Sequence, residues 1–236
     1  MQTITISSLF YMFIPIVIVG FVYFAWTKNF KEIGVATFRM ISQLLIIGYF
    51  LTYIFKNNNS IIGFLILFFM ISISSFIALR NVENKNLNTY LKFFISISIG
   101  GSFNLILVLF FVLDLHPFYQ PRFIIPLAGM IYANSMNALS LCAERFENEI
   151  KTKDYTLSRA ISFRASLIPS VNSFLAVGLV SLPGMMTGQI LSGVSPIVAV
   201  RYQIVVMAMI LGSTGMSVMI YLFLQKSCCD IRIHHK

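Results

Sequence analysis

Residues Ile61–Leu79 read IIGFLILFFMISISSFIAL, nineteen consecutive positions without a single ionisable side chain. A bilayer-spanning helix needs about 20 mostly apolar residues, with about 17–25 tolerated. A helix apolar on every face is either buried in a large core or spans a membrane, and in a chain with 11% charged residues this stretch predicts a transmembrane helix. Six further stretches are mostly apolar and near spanning length, namely Leu9–Trp26, the short Phe38–Phe55, Leu91–Leu113, Phe123–Cys142, Ala165–Leu191, which is long and interrupted by Pro169 and Pro183, and Tyr202–Leu224. The expected fold is therefore an all-α polytopic transmembrane helix bundle of about seven spans, one domain over residues 1–236. The whole composition agrees. Of 236 residues, 58% are hydrophobic and 11% charged, against about 25% charged in soluble domains. With so few charges the solvent for most side chains must be lipid. The N-terminus lacks the basic region and small-residue cleavage site of a signal peptide, so Leu9–Trp26 reads as a retained span.

The basic residues orient the bundle. With seven spans, Thr27–Thr37, Arg80–Tyr90, Ala143–Arg164 and the tail from Gln225 share one side. Together with Arg39 and Lys92 at adjacent helix starts, that side takes all of the 17 basic residues except Lys56, Arg122 and Arg201. Lys and Arg concentrate in short cytoplasmic loops, so the N-terminus is expected outside and the C-terminus in the cytoplasm. The net charge of +9 then reflects an anionic membrane surface. It forms no basic stripe interleaved with exposed aromatics, and no nucleic-acid partner is expected. Cys142, Cys228 and Cys229 fall at or beyond cytoplasmic ends, so no disulfide framework is expected.

Every carboxylate and all three histidines lie outside these spans. A charge at the bilayer centre costs at least about 2.5–3.5 kcal/mol and persists only where function needs it. Proton-coupled carriers need such a group, so uphill transport here would draw its energy from elsewhere, such as a separate ATPase. No catalytic triad, HExxH or paired-carboxylate helix can be assembled, and no phosphate-binding glycine loop is present. The chain does not read as an enzyme.

Polar and helix-breaking residues gather late in the chain. PLAGMIYANSMNALSLC, Pro126–Cys142, places Asn134 and Asn137 on one helix face with Met130 and Leu141. Such amides either bond between helices or line a solute path. VGLVSLPGMMTGQILSGVSP, Val177–Pro196, should break or kink at Pro183–Gly184, because proline removes a backbone donor. Gly178, Gly184 and Gly188 permit close backbone approach, and Gln189 adds another amide. Met185 and Met186 could offer thioether ligands to a metal, though methionine is more often adaptable packing. Between the two segments, ERFENEIKTKDYTLSRAISFRASLIP is charged and partly helical. It could dock a cytoplasmic partner or be an ordinary solvated loop. The tail CCDIRIHHK holds Cys228, Cys229, His234 and His235, donor types that suit zinc, but adjacent pairs are not a structural-site spacing.

PLAGMIYANSMNALSLC together with LIPSVNSFLAVGLVSLPGMMTGQILSGVSPIVAVRYQIVV closely resembles the FetB/YbbM family of ABC transporter permeases. The likeness runs through Pro126–Met207 and extends more loosely to RMISQLLIIGYFLTYIF at Arg39–Phe55. The resemblance implies a multi-pass inner (plasma) membrane subunit that works as a homodimer with a separate cytoplasmic ABC ATPase. It implies export of a metal ion, iron above all, in metal homeostasis and stress resistance. ATP would be used by the partner, with no cofactor bound by this chain. Residues 143–164 would be the coupling segment, with Arg145, Arg159 and Arg164 as contacts. The translocation path would draw on Asn134, Asn137, Asn172, Pro183, Gly184, Met185, Met186 and Gln189. Two departures bear on the substrate. Asn172, and Ser195 before Pro196, stand where relatives often carry an acid. The family's Gly-containing coupling sequence is replaced by charged Glu147–Asp154. An ABC permease for a non-metal solute, or an ATP-independent channel or carrier, remains open at this point.

Overall fold

The computed structural model describes residues 5–28, 31–56, 59–117 and 119–233. Two compact units emerge, Met1–Asn57 and Asn58–Lys236.

The first unit holds α1 (Ile6–Tyr11), α2 (Phe13–Thr27) and α3 (Lys31–Lys56). Thr5 caps α1 by accepting a hydrogen bond from the Ser8 N–H, and α2 ends on Lys28 in the left-handed conformation, φ 58°. None of the side chains of α2 is buried; Val17 and Phe21 are 68% and 70% exposed. In water this would be untenable, whereas in lipid an apolar surface all round is the stable state. Tyr23 donates to Glu32 at 2.5 Å, tying α2 to the first turn of α3.

The second unit holds α4 (Ser60–Ala78), α5 (Leu87–Leu107), α6 (Pro121–Glu149), α7 (Tyr155–Ala176), α8 (Gly184–Leu191) and α9 (Pro196–Ile233). A single 3₁₀ turn, Leu79–Asn81, ends α4, and a π turn, Val108–Val112, extends α5. The core lies among α5, α6 and α9, where Phe93, Ile97, Ile131, Leu139 and Val218 are fully buried. Phe93 stacks on Tyr221 with ring centroids 5.0 Å apart, and Lys92 donates to Gln225 at 2.8 Å. Small residues set the spacing. A Cβ on Gly100 of α5 would stand 2.6 Å from Ser217 Oγ and 2.7 Å from Ser217 N on α9, so only glycine lets the two backbones meet. Ser158, Ser162 and Ser166 form a buried stripe along one side of α7, and their small size lets α7 seat closely beside α6 and α9.

Among the described residues, six helices are long and apolar enough to cross a membrane: Ser7–Thr27, Glu32–Thr52, Ser60–Asn81, Leu87–Val112, Pro121–Glu149 and Pro196–Lys226. The expected sixth span, Ala165–Leu191, differs from this pattern. It is not one helix. Its first half is the end of α7, which began at Tyr155, and the chain leaves helix after Ala176. Gly178 takes φ +82°, and the N–H groups of Leu179, Val180 and Ser181 all turn back to the Ala176 carbonyl. Pro183 stands in extended conformation just before α8. The break expected at Pro183–Gly184 thus spans Val177–Pro183. Pro169, by contrast, stays inside α7. The apolar part of α7, Ala165–Ala176, is about 18 Å long at 1.5 Å per residue, short of the roughly 30 Å of a hydrocarbon core.

The charged stretch 143–164 is a helical hairpin rather than an extended loop. The last turns of α6 and the first of α7 are joined at Ile150–Asp154, and Asp154 caps α7 by accepting from the Thr156 and Leu157 N–H groups. The α9 helix runs past Cys228 and Cys229, but their side chains, with His234 and His235, lie outside the described residues.

Candidate functional site: the polar seam of α6, α7 and α9

Asn134 of α6 faces α7 and α9 across a small cavity. About 110 Å³ in volume, it is lined by Asn134, Pro169, Ser170, Ser173, Phe174, Met207 and Ile210. The Asn134 amide nitrogen donates to the Met130 carbonyl one turn back, 2.8 Å away, which satisfies the donor within its own helix. The wall of the cavity thus carries an amide, two hydroxyls and a thioether, all neutral. Water occupies about 30 Å³ in the liquid, so the volume suits a few waters or a small polar group.

Asn137 and Asn172 are not part of that cavity; both are exposed side chains, on α6 and α7 respectively. Asn137 stands eight residues before Arg145, and Asn172 eight residues after Arg164. Eight residues are about 12 Å of helix. Arg145 and Arg164 line a second and larger trough between α6 and α7, about 560 Å³, with Leu141, Ile161, Ala165, Ile168 and Pro169. Pro169 borders both spaces. The hairpin thereby brings Arg145 and Arg164 to one trough, while Asn137 and Asn172 line neither space.

The remaining expected residues separate. Met186 is buried and Met185 packs against the core cluster, both at the head of α8. Gly184 leaves open space where a Cβ would stand. Gln189 presents a buried carbonyl oxygen that receives no hydrogen bond from the described residues. Arg159 stands over the Tyr155 ring, 5.6 Å from its centroid, and Tyr155 itself donates to the Leu222 carbonyl of α9 at 2.7 Å. Arg159 therefore braces α7 against its own first turn. Among the described residues, no group of three His, Cys, Asp or Glu side chains gathers to hold a metal ion.

Sequence reasoning passed over Gln203. It lies on α9, only 6% exposed, and its Oε1 atom receives no hydrogen bond from the described residues. A buried amide oxygen left without a donor costs about 1–3 kcal/mol, so it marks a place where a passing polar group or water would be welcomed. The expected span Tyr202–Leu224 already held Gln203; its burial follows only from the packing of α9. Asn104 of α5 was hidden in an apolar run. It donates to the Gly100 carbonyl at 2.9 Å and reaches Met216 Sδ at 3.3 Å, which is interhelical bonding.

At the hairpin end, Glu149 is the one acid with a buried side chain among the described residues. Its Oε1 bonds Arg145 Nη2 at 2.7 Å, and Lys153 Nζ donates to its Oε2. One carboxylate thus fixes the guanidinium on the last turn of α6 and the turn into α7 together. Replacing Glu149 with glutamine should lower Tm and speed amide exchange at Thr152 and Lys153, whose N–H groups bond the Glu149 carbonyl. Unchanged exchange at those amides would show that the backbone alone holds the turn. On the same end, a cleft of about 310 Å³ opens between Asn84–Lys92, the hairpin residues Phe146, Glu147 and Ile150, and Gln225. Glu147 accepts from the Glu83 N–H at 2.9 Å, and Lys151 pairs with Glu83 at 2.9 Å.

These features define a multi-pass membrane protein with a polar seam in its C-terminal half. The family described as "Uncharacterised protein family (UPF0014)" matches residues 5–163 and 155–229. A UPF0014 membrane protein of Synechocystis is 33% identical over 195 residues, 76% of this chain and 75% of that protein. The "Probable iron export permease protein FetB" of Escherichia coli is 32% identical, covering 82% of this chain and 80% of its own length. The "Protein ALUMINUM SENSITIVE 3" of Arabidopsis thaliana is 32% identical, covering 76% and 70%. The chain belongs to this UPF0014 membrane protein family. No solved structure matches it.

Proposed function

We propose that the chain is the permease subunit of an ABC exporter in the plasma membrane, driven by a separate cytoplasmic ATPase and working as a homodimer. The observation that carries this reading is the exposed pair Asn137 and Asn172, on α6 and α7, about 12 Å along each helix from Arg145 and Arg164. Amides at bilayer depth are stable where they meet other protein or water, not lipid tails. A second copy laid against the same face would enclose a polar path between the copies, while the 110 Å³ cavity and the Val177–Pro183 break allow α7 and α8 to shift. The α6–α7 hairpin and the neighbouring 310 Å³ cleft would seat the ATPase, with the C-terminus on the same side, as the basic-residue distribution supports. The relative named for iron export supports a metal as the cargo.

The test is reconstitution of the chain with the ATPase that co-purifies with it. The expected result is metal efflux that needs ATP and stops when the ATPase is catalytically inactivated. Metal flux that proceeds without any ATPase would replace this reading with a channel or carrier.

A further inference from the structure

Positive charge at the cytoplasmic end of a bundle follows from topology alone. That rule does not account for two guanidinium groups from different helices lining one cavity. Arg145 on α6 and Arg164 on α7 are 19 residues apart in sequence, yet both border the 560 Å³ trough. No acid lines that trough. Glu149 holds Arg145 in place, but the same carboxylate is shared with Lys153, so the cluster keeps net positive charge even before Arg164 is added.

The rest of the route is neutral. Phe123–Cys142 and Ala165–Ala176 contain no carboxylate, and the seam offers amide, hydroxyl and thioether groups. A bare divalent or trivalent cation entering here would meet two like charges and then no anionic ligand. Guanidinium forks match carboxylates and phosphates in bidentate geometry, and a space of this size falls within the range of small-molecule sites, about 300–1,000 Å³. The apolar floor of Leu141, Ile161, Ala165 and Ile168 accepts the carbon skeleton between the charged groups.

We infer that Arg145 and Arg164 form the entry site for a small polyanion. A metal ion would travel through this permease only as an anionic chelate, such as a polycarboxylate complex. This rests on the reading that the α6–α7 face borders the path. The purified full-length chain in detergent should therefore bind ferric citrate and citrate measurably by calorimetry. Each of R145Q and R164Q should weaken binding about tenfold, the loss of one charge-assisted contact, with Tm unchanged for R164Q and partial recovery in R164K. Raising the salt concentration should weaken it further. Ferrous ion in a non-coordinating buffer should give no response that depends on either arginine. Three results would overturn the inference. Ferrous ion could bind equally well in the wild type and the double variant while citrate does not bind. Inorganic phosphate could fail to compete with citrate at any concentration. Phosphatidylglycerol in mixed micelles could displace citrate fully through the same arginines, which would make the trough a lipid site. Because no ATPase is present, intact citrate binding without ATP-driven flux would sink the exporter reading and leave this one standing.

Discussion

Replacing Gly100 with leucine is expected to abolish recovery of a folded, monodisperse chain, and Gly100→Ala to destabilise it by about 1–3 kcal/mol, the usual cost of forcing a methyl into a packed core. The site has no room to relax. The nearest atoms to a new Cβ are Ser217 Oγ at 2.6 Å, Ser217 N at 2.7 Å and Ser217 Cα at 3.0 Å. The last two are backbone, so relief requires α5 and α9 to move apart. That would separate Phe93 from Tyr221 and Lys92 from Gln225 on the same pair of helices. Gly215→Ala in α9 is the matched control, since nothing lies within 4 Å of its Cβ position. There the substitution should be neutral or stabilising, because glycine costs about 1 kcal/mol against alanine in a helix interior. Equal thermal melts for Gly100→Ala and Gly215→Ala, read by fluorescence-detected size exclusion, would show that α5 and α9 are not in backbone contact.

The second large effect is expected on transport. Asn137→Leu and Asn172→Leu should each cut ATP-dependent flux about tenfold or more, the consequence of losing roughly 1.4 kcal/mol in the crossing barrier. Tm should hold or rise. Both side chains are exposed, so leucine displaces no packing, and an amide removed from an apolar surface is no penalty. The contrasting expectation is just as definite. If these amides only faced lipid, leucine would raise Tm and leave flux untouched. Asn134→Leu is a different experiment, because its amide donates within its own helix and its loss would also fill the 110 Å³ cavity.

The apolar runs were legible because their surroundings are lipid: Ile61–Leu79 needs no partner to be a helix, and it became α4 with only its ends adjusted. The same independence fails for α7. Ser158, Ser162 and Ser166 carry no apolar periodicity, and Arg159 and Arg164 look like loop residues. Their helix exists because small side chains allow close seating beside α6 and α9, which is tertiary information. Likewise Pro169 and Pro183 look alike as breakers. One stays within α7 and the other follows a turn that depends on Gly178 at positive φ. At the site, Asn134 announced itself as an amide in an apolar run. That Arg145 and Arg164 line one trough follows only from the antiparallel pairing of α6 and α7.

The central claim, that the exposed α6–α7 face borders water and not lipid, can be measured directly by thiol accessibility. In a background of Cys142→Ala, Cys228→Ser and Cys229→Ser, single substitutions Asn137→Cys and Asn172→Cys in native membranes would be challenged with a charged, water-soluble maleimide. Phe69→Cys, 65% exposed on the apolar surface of α4, is the lipid-facing reference. Labelling of Asn137→Cys and Asn172→Cys at rates far above Phe69→Cys, and changed by ATP, is the expected result. Labelling as slow as that of Phe69→Cys, with or without ATP, would contradict a path along α6 and α7.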